Sequence, residues 1–126
     1  MPKFLIGLIC FSLVSDLAAN TMRYPFSVTG EELIQQFYGP VATRGQPRSA
    51  LSYQQYEIAR GYISGVKDST EGTAWCHVAK LKPDEVDSEL ISALMALPHS
   101  TLKGTAAPLL VAALKKRVPC STRSVK

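Results

Sequence analysis

Four stretches of the chain place their apolar residues at helical rather than strand-like spacing. In "SVTGEELIQQFYG" the apolar positions Leu33, Ile34 and Phe37 share one face of a helix. Thr29 stands three residues before Glu32, the capping-box spacing in which each side chain meets the other residue's backbone amide, and Gly39 and Pro40 stop the element. "VATRGQPRSA" is polar and rich in breakers, which predicts a loop. "LSYQQYEIARGYISGVKD" then resumes the helical period with Tyr56, Ala59, Ile63 and Val66, with Ser52 as the capping residue and Gln55 three positions on.

"STEGTAWCHVAKLK" has no helical period and predicts a connecting loop. Behind it, Pro83 suits a first helical turn, and Asp84, Glu85 and Asp87 complement the positive end of the helix dipole. Val86, Leu90, Leu94 and Leu97 form the stripe of this third helix, which should end near Pro98. The fourth starts behind Gly104 or Thr105 and runs through Leu110, Ala113 and Leu114. It gathers Lys115, Lys116 and Arg117 at its negative end and stops at Pro119. No stretch alternates long enough to make a useful strand. The expected fold class is all-α, a small bundle of about four helices.

Composition narrows this to one domain. The 126 residues, 46% hydrophobic and 19% charged, suit a single compact core. The N-terminal stretch reads differently: Lys3, an apolar run from Phe4 to Val14, then Ala18 and Ala19 stand in the order of a secretory signal peptide cut after Ala19. The expected division is a signal peptide over residues 1–19 and a helical domain over 20–126. The apolar run falls short of the roughly 20 residues that span a bilayer, and no later stretch is long enough, so the mature protein should carry no transmembrane segment. Cys10 leaves with the signal, and Cys76 and Cys120 remain.

Export to an oxidising compartment makes a disulfide the simplest fate of such a pair. A metal site would need ligands at finger-like spacing, which "CHVAKLKPD" and the distant His99 do not supply. The third and fourth helices are joined by a short turn, so they should pack as an antiparallel hairpin with Cys76 and Cys120 at its open end. A bridge there staples the hairpin and closes about 45 residues, a constraint that stabilises by roughly 4 kcal/mol in the chain-entropy model.

Catalytic chemistry finds little support. No paired carboxylates, Gly-rich phosphate loop or Ser, His and Asp set stands in a motif context. Cys76 beside His77 is adjacency in sequence, not the spatial pairing a thiol nucleophile needs. The expectation is a protein that is not an enzyme and holds no cofactor or metal. The basic end made by Lys115 to Arg117, with Arg123 and Lys126, complements the helix dipole and the solvent, not a nucleic acid. Removing the signal takes away Lys3 and Asp16 together, so the net charge stays at +4, which favours an acidic partner surface or the anionic envelope. Gly61 and Gly65, four apart, permit close helix approach, within the domain in preference to across a dimer. Tyr62 and Trp75 suit the core, and Asp68 suits a residue that fixes the following loop through its backbone amides.

The order "GEELIQQF", "ARGYISGVKD", "AWC" and "APLLVAALKKRVPC" resembles the Rap/Tai family, the exported immunity proteins of type VI secretion systems. The resemblance covers Gly30 to Cys120, and its most specific parts are Gly61, Tyr62 and Gly65 followed by Asp68, the aromatic before Cys76, and the terminal Pro119 and Cys120. It implies a periplasmic binding protein that inhibits a cognate papain-like peptidoglycan amidase by filling its cleft. The proteins of this family are helical and often dimeric, so a homodimer is an expected assembly. It also implies a further cysteine pair at the positions held here by Phe37 and Ala59; both cysteines are gone together, and an apolar contact is expected in their place.

Two segments suit a protruding contact: Val41 to Ala50, with Arg44 and Arg48, and Lys67 to Thr73, with Lys67, Asp68 and Glu71. The second is the better one, because the second helix ties one end and Cys76 the other. The alternatives are a periplasmic stress chaperone and an envelope adaptor.

Overall fold

The computed structural model describes residues 27–40, 44–77 and 81–120. The signal peptide expected at residues 1–19 and the basic residues Arg123 and Lys126 lie outside them. Among the described residues there are five helices: α1 (Gly30–Tyr38), α2 (Ala50–Thr70), α3 (Pro83–Met95), α4 (His99–Leu102) and α5 (Ala106–Arg117). The fold is all-α, as expected, and among the described residues extended pairing is limited to isolated bridges such as Thr29 with Thr105.

Helix α1 begins where its sequence says it should. The Glu32 amide donates to Thr29 Oγ1 at 3.2 Å and the Thr29 amide to Glu32 Oε2 at 2.8 Å, completing the capping box. At the other end Gly39 adopts φ 77°, a value that favours glycine, and its amide donates to Gln35 O. Gly30, the first residue of α1, is needed for a different reason. A Cβ there would stand 3.0 Å from Leu102 Cδ2 and 3.1 Å from both Leu102 O and Leu109 Cδ1. The helix start is therefore wedged against α4 and α5, and the Gly30 amide donates to Gly104 O at 3.1 Å across that junction.

Both ends of α2 depart from the sequence expectation. The cap is Ser49, not Ser52: Ser49 Oγ accepts from the Ser52 amide at 3.2 Å, so the helix opens at Ala50. The far end continues through Lys67 and Asp68 to Thr70, and the chain turns only at Gly72, with φ 77°. The short turn expected after Pro98 contains the single-turn helix α4.

Helix α1 packs on each of the other four, and α5 packs on both α2 and α3. Leu33, Ile63, Leu90, Ile91, Leu94, Leu110 and Leu114 are fully buried at the centre. The α3–α5 hairpin forms as expected, and Cys76 is bonded to Cys120 with Cα atoms 4.7 Å apart. The Cys76 amide donates to Val118 O beside the bridge. On the hairpin's outer side Arg117 Nε donates to Glu89 Oε2 at 2.5 Å, and that bond holds the Glu89 carboxyl below its ordinary range.

Candidate partner-binding surface

The segment after α2 is shaped by Trp75. Its indole, 6% exposed, sits in the core as expected, and Nε1 donates to Lys67 O at 3.0 Å. The Gly72 amide donates to Trp75 O at 2.7 Å, and Thr73 Oγ1 to Thr70 O at 3.0 Å. With the disulfide directly behind, residues 71–77 form a tight, doubly anchored bend. The loop-fixing role expected of Asp68 is thus performed by the backbone and by Trp75, while Asp68 is exposed.

Lys67 is the clearest correction. It lies within α2, not in a loop, and its ammonium is in direct contact with Asp87 Oδ1 of α3. The two side chains are 11% and 3% exposed, so Lys67 is committed to the interior and is removed from the candidate contacts. Arg60 extends the network: its guanidinium bonds Asp84 at 2.6 Å and lies 3.9 Å from the other Asp87 oxygen. The Asp84 charge raises the already high pKa of Arg60 further. What remains outward at this end of α2 is Asp68 and Glu71, beside a shallow hollow floored by Trp75, Leu81 and Val86.

Arg44 and Arg48 stand at the opposite end. Arg48 lies 4.0 Å over the Tyr56 ring and donates from its guanidinium to Phe37 O at 3.1 Å; Arg44 lies 5.6 Å over the Tyr38 ring. The 21 residues of α2 separate the two candidate surfaces by about 30 Å at 1.5 Å per residue. The structure does not bring them together. Of the expected loop from Val41 to Ala50, residues 41–43 lie outside the described residues, and Ala50 is the first residue of α2.

Gly61 and Gly65 also fall otherwise than expected. Both are exposed, and a Cβ at either would meet nothing within 4 Å, so they admit no close approach within the domain. They lie on an outward strip of α2 with Ile58, which is 55% exposed. Tyr62, on the flank of that strip, packs against the core. Burial pushes its phenol pKa up, with a backbone contact at Ala107 partly opposing.

Residues 29–120, which span all five helices, the bend held by Trp75 and both cysteines of the bridge, match the family model of the Rap1a immunity proteins. The chain belongs to that family. Comparison with curated proteins gave no match. Membership of this family gives the protein an immunity role and implies a toxin as its partner. Sequence reasoning missed the Lys67–Asp87 pair and, among the described residues, the four large apolar side chains that stay outside, Leu51, Tyr53, Ile58 and Met95. An apolar pattern marks a face but not whether something covers it, and only Tyr56, not Tyr53, kept the α2 period.

Proposed function

We propose that this Rap1a-family protein is exported by a signal peptide over residues 1–19, that its mature domain over 20–126 resides in the periplasm, and that it inhibits a peptidoglycan amidase delivered by type VI secretion. The observation that carries the reading is the family match over residues 29–120. The disulfide suits an oxidising compartment, and among the described residues no helix is long and apolar enough to cross a membrane. Inhibition of this kind asks no chemistry of the inhibitor, so the protein is read as a binder and not as an enzyme. It needs a rigid projection that enters the enzyme's cleft and keeps substrate from the nucleophile.

The last turn of α2 and the bend behind it, residues 68–77, form a segment of that character. It presents Asp68 and Glu71, and its two anchors limit the ordering entropy lost on binding. A second copy of the chain is the proposed neighbour of the outward α2 strip, where Gly61 and Gly65 leave room for a helix backbone.

Calorimetric titration against an amidase encoded beside the gene tests the reading. Nanomolar to micromolar binding with loss of amidase activity is expected. Replacing Asp68 and Glu71 together by Ala should weaken binding at least tenfold, about 1.4 kcal/mol, with the fold unchanged. Unchanged affinity would move the contact away from this bend, and no binding by the unmodified protein would remove the amidase reading.

A further inference from the structure

The end of the molecule opposite the bend is concave. A cleft of about 680 Å³ lies between the C-terminal end of α1 and the start of α2, lined among others by Tyr38, Arg44, Arg48 and Leu51. A second hollow of about 290 Å³ shares Tyr38 and Arg44 with it and reaches Met95 on α3. Arg44 therefore stands on a ridge between two hollows.

Three features define what fits there. Arg44 and Arg48 are both exposed, and among the described residues neither meets a carboxylate, nor does any Asp or Glu line either hollow. Charge complementarity thus asks for an anion. Leu51 and Met95 are 65% and 46% exposed, two of the four large apolar side chains left outside among the described residues, and they lie in the two hollows on either side of Arg44. A small inorganic anion would leave both apolar side chains in water. A polypeptide that sets a carboxylate between apolar side chains would cover them. Finally, Arg48 is held by Phe37 O and the Tyr56 ring, and Arg44 rests on Tyr38, so less side-chain entropy is lost when a carboxylate arrives than for free arginines.

We propose that the α1–α2 cleft is a docking site for an acidic polypeptide segment whose carboxylate pairs with Arg44 and Arg48 while flanking apolar side chains cover Leu51 and Met95. Arginine–carboxylate bonds are charge-assisted and directional, so they set the register, and the apolar contacts supply the remaining affinity. The site lies at the other end of α2 from the bend assigned to the amidase cleft, and it stands whether or not that assignment does.

The test is a titration of the ¹⁵N-labelled protein with the peptide acetyl-Leu-Phe-Glu-Asp-Phe-Leu-amide, followed by amide resonances. Saturable shifts at Gly45, Gln46, Ser49 and Ser52 are expected, with residues 71–77 unmoved. Arg44→Gln should weaken binding at least tenfold without altering the remaining spectrum, because the Arg44 side chain is exposed and, among the described residues, rests on the Tyr38 ring. Met95→Ser should weaken it severalfold, which a purely electrostatic site would not show. The proposal is overturned if the peptide gives no saturable shift, or if its Gln-Asn counterpart binds equally well. It is also overturned if inorganic phosphate alone reproduces the shifts with the same affinity, or if Arg44→Gln binds as the parent does.

Discussion

Cutting the ion pair between α2 and α3 on one side is expected to destabilise the protein far more than replacing both halves. Lys67 and Asp87 touch in a region where their side chains are 11% and 3% exposed, so each charge has lost most of its water. The two halves are not equivalent. Asp87 has a second cation near it, Arg60 Nε at 3.9 Å from Oδ2, whereas Lys67 has no other carboxylate partner among the described residues. Removing one member of a buried pair costs about 3–5 kcal/mol, while well-packed apolar replacement of both is often neutral. Asp87→Leu strands the ammonium and should fall in that range of about 3–5 kcal/mol; Lys67→Met leaves Asp87 with Arg60 and should cost roughly 1–3 kcal/mol. The double variant should lie within about 1 kcal/mol of the parent. Set against a typical domain stability of about 5–15 kcal/mol, the Asp87 variant loses a large part of the whole. Urea unfolding followed by tryptophan emission reads this directly, because Trp75 is the sole tryptophan and its indole bonds the Lys67 carbonyl. A double variant as unstable as Asp87→Leu alone would refute the reasoning, since it would assign the loss to packing and not to a stranded charge.

Replacing Cys76 and Cys120 together by Ser should lower stability by up to about 4 kcal/mol for a loop of this length while far-ultraviolet circular dichroism stays helical in water; an unchanged urea midpoint would contradict the staple. Gly30→Ala should destabilise by about 1–3 kcal/mol through overpacking against Leu102 and Leu109. Gly61→Ala and Gly65→Ala, with open space around each, should each stabilise the monomer by about 0.5–1 kcal/mol through helix propensity, as thermal unfolding at low concentration will show. Alkaline pH should weaken the fold partly through Tyr62. Its phenol is held above the ordinary value of 10.0, so the unfolded chain ionises first, and stability falls as pH rises from there through the folded value. Urea midpoints compared between pH 9 and 11 should drop less for Tyr62→Phe than for the parent.

What the sequence made legible follows the range of the forces involved. Helix α1 could be read to the residue because its signals are local: the Thr29–Glu32 capping box lies within one turn, and Gly39 closes the last one. The start of α2 was misplaced because Ser49 and Ser52 offer the same capping chemistry, and the choice between them depends on how far the breakers at Gly45 and Pro47 reach. Its end was misplaced because the apolar stripe stops at Val66, yet one more turn is held by Lys67, whose partner Asp87 is 20 residues away. A polar residue at the end of a stripe reads as solvent-facing until its partner is known. Helix α4, four residues long, is too short to show a period. For the surface, the types and positions of Arg44, Arg48, Asp68 and Glu71 were legible. Their separation to opposite ends of α2 was not, because it follows from where that helix starts and stops.

The positions where the family resemblance implies a second bridge show how this bundle holds its other end. Phe37 and Ala59, 4% and 0% exposed, belong to the same core cluster, and the Phe37 ring meets Tyr38 and Tyr56 edge-on at 5.2 and 5.1 Å. A bridge spanning these positions would contribute about 3 kcal/mol in the chain-entropy model. Truncating a buried phenylalanine costs about 3–5 kcal/mol, so aromatic packing here is of the same size as the covalent link it replaces. The two act differently. A disulfide constrains the unfolded chain and holds one geometry, whereas the Phe37 ring stabilises only the packed state; the backbone carbonyl of the same residue accepts from Arg48. The end closed by Cys76 and Cys120 is therefore tied covalently, and the end around Phe37 is tied by contacts that also position an arginine at the surface. Core and cleft are coupled there through one residue, whose ring anchors α1 on α2 and whose carbonyl sets where the Arg48 charge is presented.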